Sequence, residues 1–335
     1  MQTAYPIADL HCDLLSFLVD DSSRTIDDPR SRASYPQMRQ GNIGLQALTI
    51  FTYSKALSHE YGKKQLEMLF HLLKQHPEKY QLWDPSLSIE KQENGPIQVV
   101  PVFENAYALC EETQKIEEGI AFLEKTRLRL KNILYISLTW DLENRFGGGC
   151  GSRVGLKEDG KQLLEWMDQK KIAIDLSHAS DFLADDILNF LDKKSLEIPV
   201  MASHSNMRFV TDRERNLPDS IAKEIIYRKG IIGLNFFAPF IGIRFDQIVN
   251  HVEHLFSLGG KNHLCFGGDF FHFESFSYIQ EKYKTNVAFF PEFANASCYQ
   301  TALSLLQKEL SLTESEIKSI AFHNFENYAK RTFSE

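Results

Sequence analysis

The amino-acid sequence predicts an α/β fold of the (β/α)8 TIM-type barrel class, a single barrel domain over residues 1–335. Three observations lead there. Eight apolar, β-branched runs recur along the chain, at Ile7–Cys12, Ile43–Phe51, Ile97–Phe103, Ile133–Thr139, Ile172–Ser177, Ile198–Ser203, Ile231–Phe236 and Leu264–Gly268. Their hydrophobicity is continuous rather than alternating, as in parallel strands covered on both faces. The segments between them, such as Lys63–Leu73, Gly160–Lys170, Asp181–Leu191 and Gln247–Leu258, are long enough for crossover helices. A doubly wound sheet would call for a phosphate-binding glycine fingerprint after an early strand, and none is present. In the nearest candidate, Gly147-Gly148-Gly149-Cys150-Gly151, Ser152 and Val154 stand where the third glycine would fall, so the run reads as a flexible loop after the fourth strand.

A chain of 335 residues with 43% hydrophobic content can bury a large core. Its net charge of -8, its pI near 5.8 and the lack of any long basic stretch argue against nucleic-acid and anionic-membrane partners, leaving small molecules. Residues 1–6 show no charged leader pattern and no apolar run of about 18 residues occurs, so a cytoplasmic location is expected. The five cysteines are odd in number and lack Cys-x-x-Cys spacing, which fits reduced thiols filling the core.

Barrel enzymes carry their chemistry at the C-terminal ends of the strands. Here His11 and Asp13 close the first run, and as i and i+2 of an extended segment they face one side. Glu104 ends the third run, His178 the fifth, His204 the sixth and Asp269 the eighth. Any one of these has an ordinary explanation as a hydrogen-bonded histidine or a helix-capping carboxylate. Five strands delivering such groups to one rim do not. Imidazole and carboxylate donors without cysteine suit a pair of zinc ions, with cobalt or manganese as alternatives, and the two oxygens of Glu104 allow it to bridge. Two ions about 3.5–4 Å apart would hold a hydroxide that attacks a polarised carbonyl. Asp269 remains as the base that takes its proton and returns it to the leaving amine. The other eight histidines, at positions 59, 71, 76, 251, 254, 263, 272 and 323, fall mostly in helical or loop stretches and are read as non-ligands.

The motifs Asp9-Leu10-His11-Cys12-Asp13, Phe103-Glu104, Ile174-Asp175-Leu176-Ser177-His178, Ser203-His204-Ser205-Asn206, Arg215-Asn216-Leu217-Pro218-Asp219 and Phe266-Gly267-Gly268-Asp269-Phe270 occur in the order seen in the renal or membrane dipeptidases. With the closing Asn324-Phe325, the chain resembles this family of binuclear-zinc barrel peptidases, within the amidohydrolase superfamily, from about residue 7 to residue 333. The resemblance implies a zinc-dependent dipeptidase, a single metal-dependent hydrolase domain acting on small dipeptides. It places His11, Asp13 and Glu104 on one ion and Glu104, His178 and His204 on the other, with Asp269 as the catalytic acid/base. It also implies that Arg215 grips the C-terminal carboxylate of the substrate, a task that suits a planar, bidentate guanidinium.

Three departures stand out. Trp140 occupies the place of a histidine that contacts the substrate carbonyl region in the best-known members, so Trp140 becomes a candidate pocket wall. Glu143, Asn144 and Arg145 are candidates for the missing polar role. Asn235-Phe236-Phe237 keeps the substrate-side Asn235 but replaces a tyrosine of the family by Phe237. The loop after Asp269 is rich in aromatics (Phe271, Phe273, Phe276, Tyr278, Tyr283, Phe289 and Phe290), which predicts an apolar pocket or a subunit contact, with a homodimer as one possibility. The alternatives are another amidase or lactamase reaction on N-acyl amino acids, or a metal-binding scaffold without catalysis.

Overall fold

In the computed structural model, which describes residues 4–90 and 95–333, the apolar runs form parallel strands. They are β1 (Ile7–Cys12), β2 (Ile43–Phe51), β3 (Tyr80–Leu82), β4 (Ile97–Glu104), β5 (Tyr135–Ser137), β6 (Ala173–Asp175), β7 (Val200–Ala202), β8 (Ile231–Leu234) and β9 (Leu264–Phe266). Eight of them close a ring in the order β1-β2-β4-β5-β6-β7-β8-β9, with β9 returning to β1 through Asp9 opposite Phe266. This is the (β/α)8 barrel that the continuous apolar runs predict.

Two differences from the expected elements have physical reasons. β3 is a ninth strand outside the ring. Its three residues pair with Ile97–Val99, the early stretch of the β4 edge away from β2, which is open because β5 meets that edge only further along, at Phe103 opposite Ile136. Three residues are too few to give a periodic signal. The second difference is length, since β5, β6, β7, β8 and β9 are shorter than the apolar runs that announced them. The runs record burial, which continues through Leu138, Thr139 and Trp140 after the β5 ladder has stopped.

Helices fill the connections as expected, including Ser58–Gln75, Glu158–Met167, Asp181–Lys194 and Ile248–Ser257. The helix Asp181–Lys194 starts where the Ser180 side chain accepts from Leu183 N and ends on Lys193 and Lys194, which complement its dipole. Among the described residues no helix is long and apolar enough to cross a membrane.

After β9 the chain forms a strap, residues 271–290, that contains the short helix Ser277–Tyr283. Ala238 N, beyond β8, donates to Ala288 O at 2.7 Å and ties the strap to its neighbour. The glycine run 147–151 is packed rather than loose. A Cβ on Gly149 would lie 2.1 Å from Trp140 O, so only glycine lets the loop rest on the backbone of Trp140 and Asp141.

Candidate active site

The residues singled out at the strand ends converge at the C-terminal mouth of the barrel. Closure of the ring brings the first and last strands together: Asp269 N donates to His11 O (3.1 Å) and Asp13 N to Phe270 O (3.0 Å), which sets Asp13 and Asp269 side by side. His11, Asp13 and Glu104 each offer a donor atom within 4.8 Å of the others, and so do Glu104, His178 and His204. Glu104 is common to both sets: Oε2 lies 3.3 Å from His11 Nε2 and Oε1 lies 2.9 Å from His178 Nε2. Gly267 makes the packing beneath possible, because a Cβ there would sit 1.9 Å from Ser203 O and 3.0 Å from His204 Cα.

The hydrogen bonds behind the three imidazoles fix which nitrogen faces the cluster. Tyr135 donates its hydroxyl hydrogen to Leu10 O (3.1 Å), so at 2.7 Å it accepts from His11 Nδ1–H. Ser203 donates to Asp175 Oδ2 (2.7 Å) and accepts from His204 Nδ1–H (2.6 Å). Asp141 Oδ1 accepts from His178 Nδ1–H at 3.2 Å. All three Nε2 atoms therefore turn inward, His178 and His204 to within 3.0 Å of each other. Backing of this kind, with an acceptor behind each ring, is what metal-ligating histidines require. His11 Nε2 and Asp13 Oδ1 are buried with no hydrogen-bond partner, so the donor set fits a cation site.

The electrostatics agree. Burial works against charge on His11, but the Glu104 carboxylate reverses this and raises its pKa to about 9. Burial and Arg215 oppose a proton on His178, and its hydrogen bonds to Asp141, Cys150 and Glu104 outweigh them, taking it to about 10. Burial would raise Glu104, yet His11 and His178 bring it down to about 2. His204 is pushed well below its ordinary value by burial and by the charges of His11 and Arg215. Asp13 is raised by burial and by Glu104, and Asp269 mainly by burial. Positive charge is drawn to the space in front of Glu104, where a divalent cation would replace protons.

His178 (φ +66°) and Asp269 (φ +59°) both sit in the left-handed region just beyond their strands. An L-residue pays about 1–2 kcal/mol for that backbone, which aims the side chain back over the barrel mouth.

Asn235 is fully buried, and its amide serves the protein itself: Nδ2 donates to Asp269 Oδ2 (2.9 Å) and His204 O (3.2 Å), while Oδ1 accepts from Phe237 N (2.6 Å). It holds Asp269 rather than presenting free polar atoms to a substrate. Arg215 is also buried, with Nη1 on Ser205 Oγ (2.8 Å), Nη2 on His204 O (2.9 Å) and Nε without a partner. Its guanidinium carbon lies 5.5 Å from the centre of the Phe240 ring.

Trp140 lines the cavity above the cluster, edge-on to Phe51 and Tyr53 (both 5.2 Å between ring centres) and tilted toward His178 (6.0 Å). With Phe237, Phe240, Phe271, Phe276, Ile279 and Tyr283 it makes an apolar wall opposite the carboxylates. The open space is about 30 Å³, room for roughly two waters. The polar candidates near Trp140 face elsewhere: Glu143 pairs with Lys157 (2.6 Å), Arg145 with Asp159 (2.6 Å), and Asn144 donates to Asn105 Oδ1 (2.9 Å). None of the three lines the cavity.

Sequence reasoning did not single out Tyr135, Asp141, Ser203 or Lys282. Asp141, buried beside Cys150 and His178, carries the clearest signal in hindsight, a carboxylate directly after the pocket-wall residue Trp140.

The family model described as membrane dipeptidase matches residues 1–330. An uncharacterised dipeptidase of Schizosaccharomyces pombe is 24% identical over 263 residues, covering 72% of this chain and 61% of that protein. A Klebsiella pneumoniae protein encoded in the pqqA 5' region is 29% identical over 147 residues, 39% of this chain and 52% of its own length. The chain thus spans less than two thirds of these curated relatives. Among solved structures, a metallopeptidase from Rhodobacter sphaeroides bound to a phosphinate mimic of L-Ala-D-Ala superposes with a TM-score of 0.79 at 18% identity, covering 99% of this chain and 100% of that one. A probable dipeptidase from Pseudomonas aeruginosa gives 0.77 at 14% identity, covering 98% and 95%.

Proposed function

Because the chain belongs to the membrane dipeptidase family, we propose that it is a metal-dependent dipeptidase that hydrolyses the peptide bond of small dipeptides. The observation that carries this reading is the convergence of three imidazoles, each backed at Nδ1, on one shared glutamate. We assign His11, Asp13 and Glu104 to one zinc ion and Glu104, His178 and His204 to a second. Bound there, the ions would supply Lewis acidity toward the scissile carbonyl and lower the pKa of water.

The remaining steps fall to the side chains. Asp269 Oδ2 is held by Asn235, which leaves Oδ1, 3.8 Å from His11 Nε2, as the oxygen that takes a proton from the attacking water. Asp269 then returns that proton to the nitrogen of the leaving amine. Arg215, fixed by two hydrogen bonds against Phe240, keeps further N–H groups for the C-terminal carboxylate of the dipeptide. The aromatic wall excludes water around the substrate side chains.

Elemental analysis combined with a panel of L-L and L-D dipeptides and N-acyl amino acids tests the proposal. Close to two zinc-like ions per chain and turnover of dipeptides that a chelator abolishes reversibly are expected. Protein that holds no transition metal, and gains none on reconstitution, would sink the reading. Turnover confined to N-acyl amino acids would replace the substrate class.

A further inference from the structure

His178 differs from the other two imidazoles in what stands behind it. His11 and His204 lean on neutral hydroxyls, Tyr135 and Ser203, inside the strand ring. His178 leans on a carboxylate, Asp141, in the loop after β5. Asp141 is only 3% exposed, and an anion buried that deeply is unfavourable unless a cation and hydrogen bonds compensate. Lys282 provides the cation, its Nζ 2.8 Å from Asp141 Oδ2, the oxygen turned away from His178. The Cys150 thiol adds a contact to Oδ1 at 3.3 Å.

Lys282 is 141 residues away in sequence and belongs to the strap helix Ser277–Tyr283. The same helix places Ile279 and Tyr283 in the cavity wall. A single chain of contacts thus runs from the strap through Lys282 and Asp141 to His178, whereas the groups behind His11 and His204, namely Tyr135 and the Ser203–Asp175 pair, lie on or directly after ring strands.

We infer that Asp141 and Lys282 are a positioning pair: Asp141 fixes the ring of His178 with Nε2 turned to the metal, and Lys282 locks Asp141 while holding the strap helix over the substrate pocket. The inference rests on the metallopeptidase reading of the site. A carboxylate behind an imidazole sets its tautomer and orientation and strengthens it as a ligand. The lysine keeps that carboxylate from rotating away and couples its position to strap closure. Only the His178 half of the cluster depends on the pair.

The test compares zinc-loaded wild type with Asp141→Asn, Lys282→Met and Lys282→Arg. Metal content per chain is followed through dialysis against increasing chelator, and KM and kcat are measured on L-alanyl-L-alanine. Asp141→Asn is expected to weaken one ion by about 10–100-fold and leave the other as in wild type. Lys282→Met should show a smaller loss confined to the same ion, with KM rising more than kcat falls, and Lys282→Arg should restore both. Equal loss of both ions in Asp141→Asn or Lys282→Met would show that the pair merely supports the fold, and wild-type metal affinity with wild-type KM in both would overturn the inference outright. If Asp141→Asn does not fold, the two Lys282 variants decide alone, since that side chain is a quarter exposed. Failure of the site reading itself is distinguishable, because it would appear as absent metal in the wild type.

Discussion

The floor of the site and the strap that roofs it hold their side chains in different ways. In the floor, His11, Glu104 and His204 stand at the ends of ring strands, and the groups behind them, Tyr135, Asp175 and Ser203, also lie on or directly after ring strands. His11 and His204 are each fixed by a hydrogen bond from behind, and Glu104 stands in the β2–β4 ladder opposite Phe51. In the roof, Phe271, Phe276 and Tyr283 meet their neighbours through ring contacts 5.1–6.2 Å between centres, such as Phe271 with Phe276 and Phe237 with Tyr283. Ring contacts tolerate small shifts that a hydrogen-bonded ligand set does not. The proposed chemistry is therefore built into the more firmly held part of the site, and selection among substrates would fall to the more adjustable part.

The largest effect should come from the floor's shared residue. Glu104→Ala is expected to abolish tight binding of both ions and all measurable hydrolysis; one ion retained at wild-type affinity would show that the carboxylate is not shared. Next, Asp269→Asn should leave metal content intact and cut turnover by about 10²–10⁴-fold. Near-normal kcat in metal-replete Asp269→Asn would remove Asp269 from the mechanism.

The scaffold around the floor should also be acid-sensitive. His251 Nδ1 accepts from Met207 N (3.0 Å) and Nε2–H donates to Ile241 O (2.9 Å), and burial lowers its pKa to about 4. The unfolded chain protonates this group near 6.5, so between those values it binds more protons than the folded one. Stability should fall as the pH drops from about 6.5 to about 4, by at most about 3 kcal/mol from this residue. Urea unfolding at pH 7 and pH 4.5, with chelator present throughout, should show a smaller drop for His251→Gln; an equal drop would clear His251 as the titrating group.

The smallest effect belongs to the roof. With so little open space in the cavity, Phe276→Ala should widen the pocket and shift the kcat/KM ratio of bulky over small dipeptides by about tenfold toward the bulky ones. An unchanged ratio, with metal content as in wild type, would mean that the strap does not select.

The same division explains what the sequence disclosed. His11 stands near the end of a continuous apolar run, and Asp13, Glu104, His178, His204 and Asp269 each follow one, so the barrel that the runs imply also places these residues on one rim. The residues behind them were silent for a reason: Tyr135 in an apolar strand looks like core, and Ser203 looks like a strand end. Lys282 and Asp141 meet only through tertiary packing, with no periodicity to link them. Asn235 was legible as a site residue, but its commitment to Asp269 depends on how β8 and β9 exit the ring. β3 escaped because three residues carry no pattern.

The left-handed backbone of His178 and Asp269 has a consequence for anyone ranking positions by tolerance to change. Glycine at either place would relax the main chain, and by that measure alone the protein should melt at a higher temperature. A selection acting on backbone strain alone would then reward the loss of the proposed metal donor and of the proposed proton carrier. In this molecule, two positions where the main chain would favour glycine are ones that the proposed chemistry can least do without.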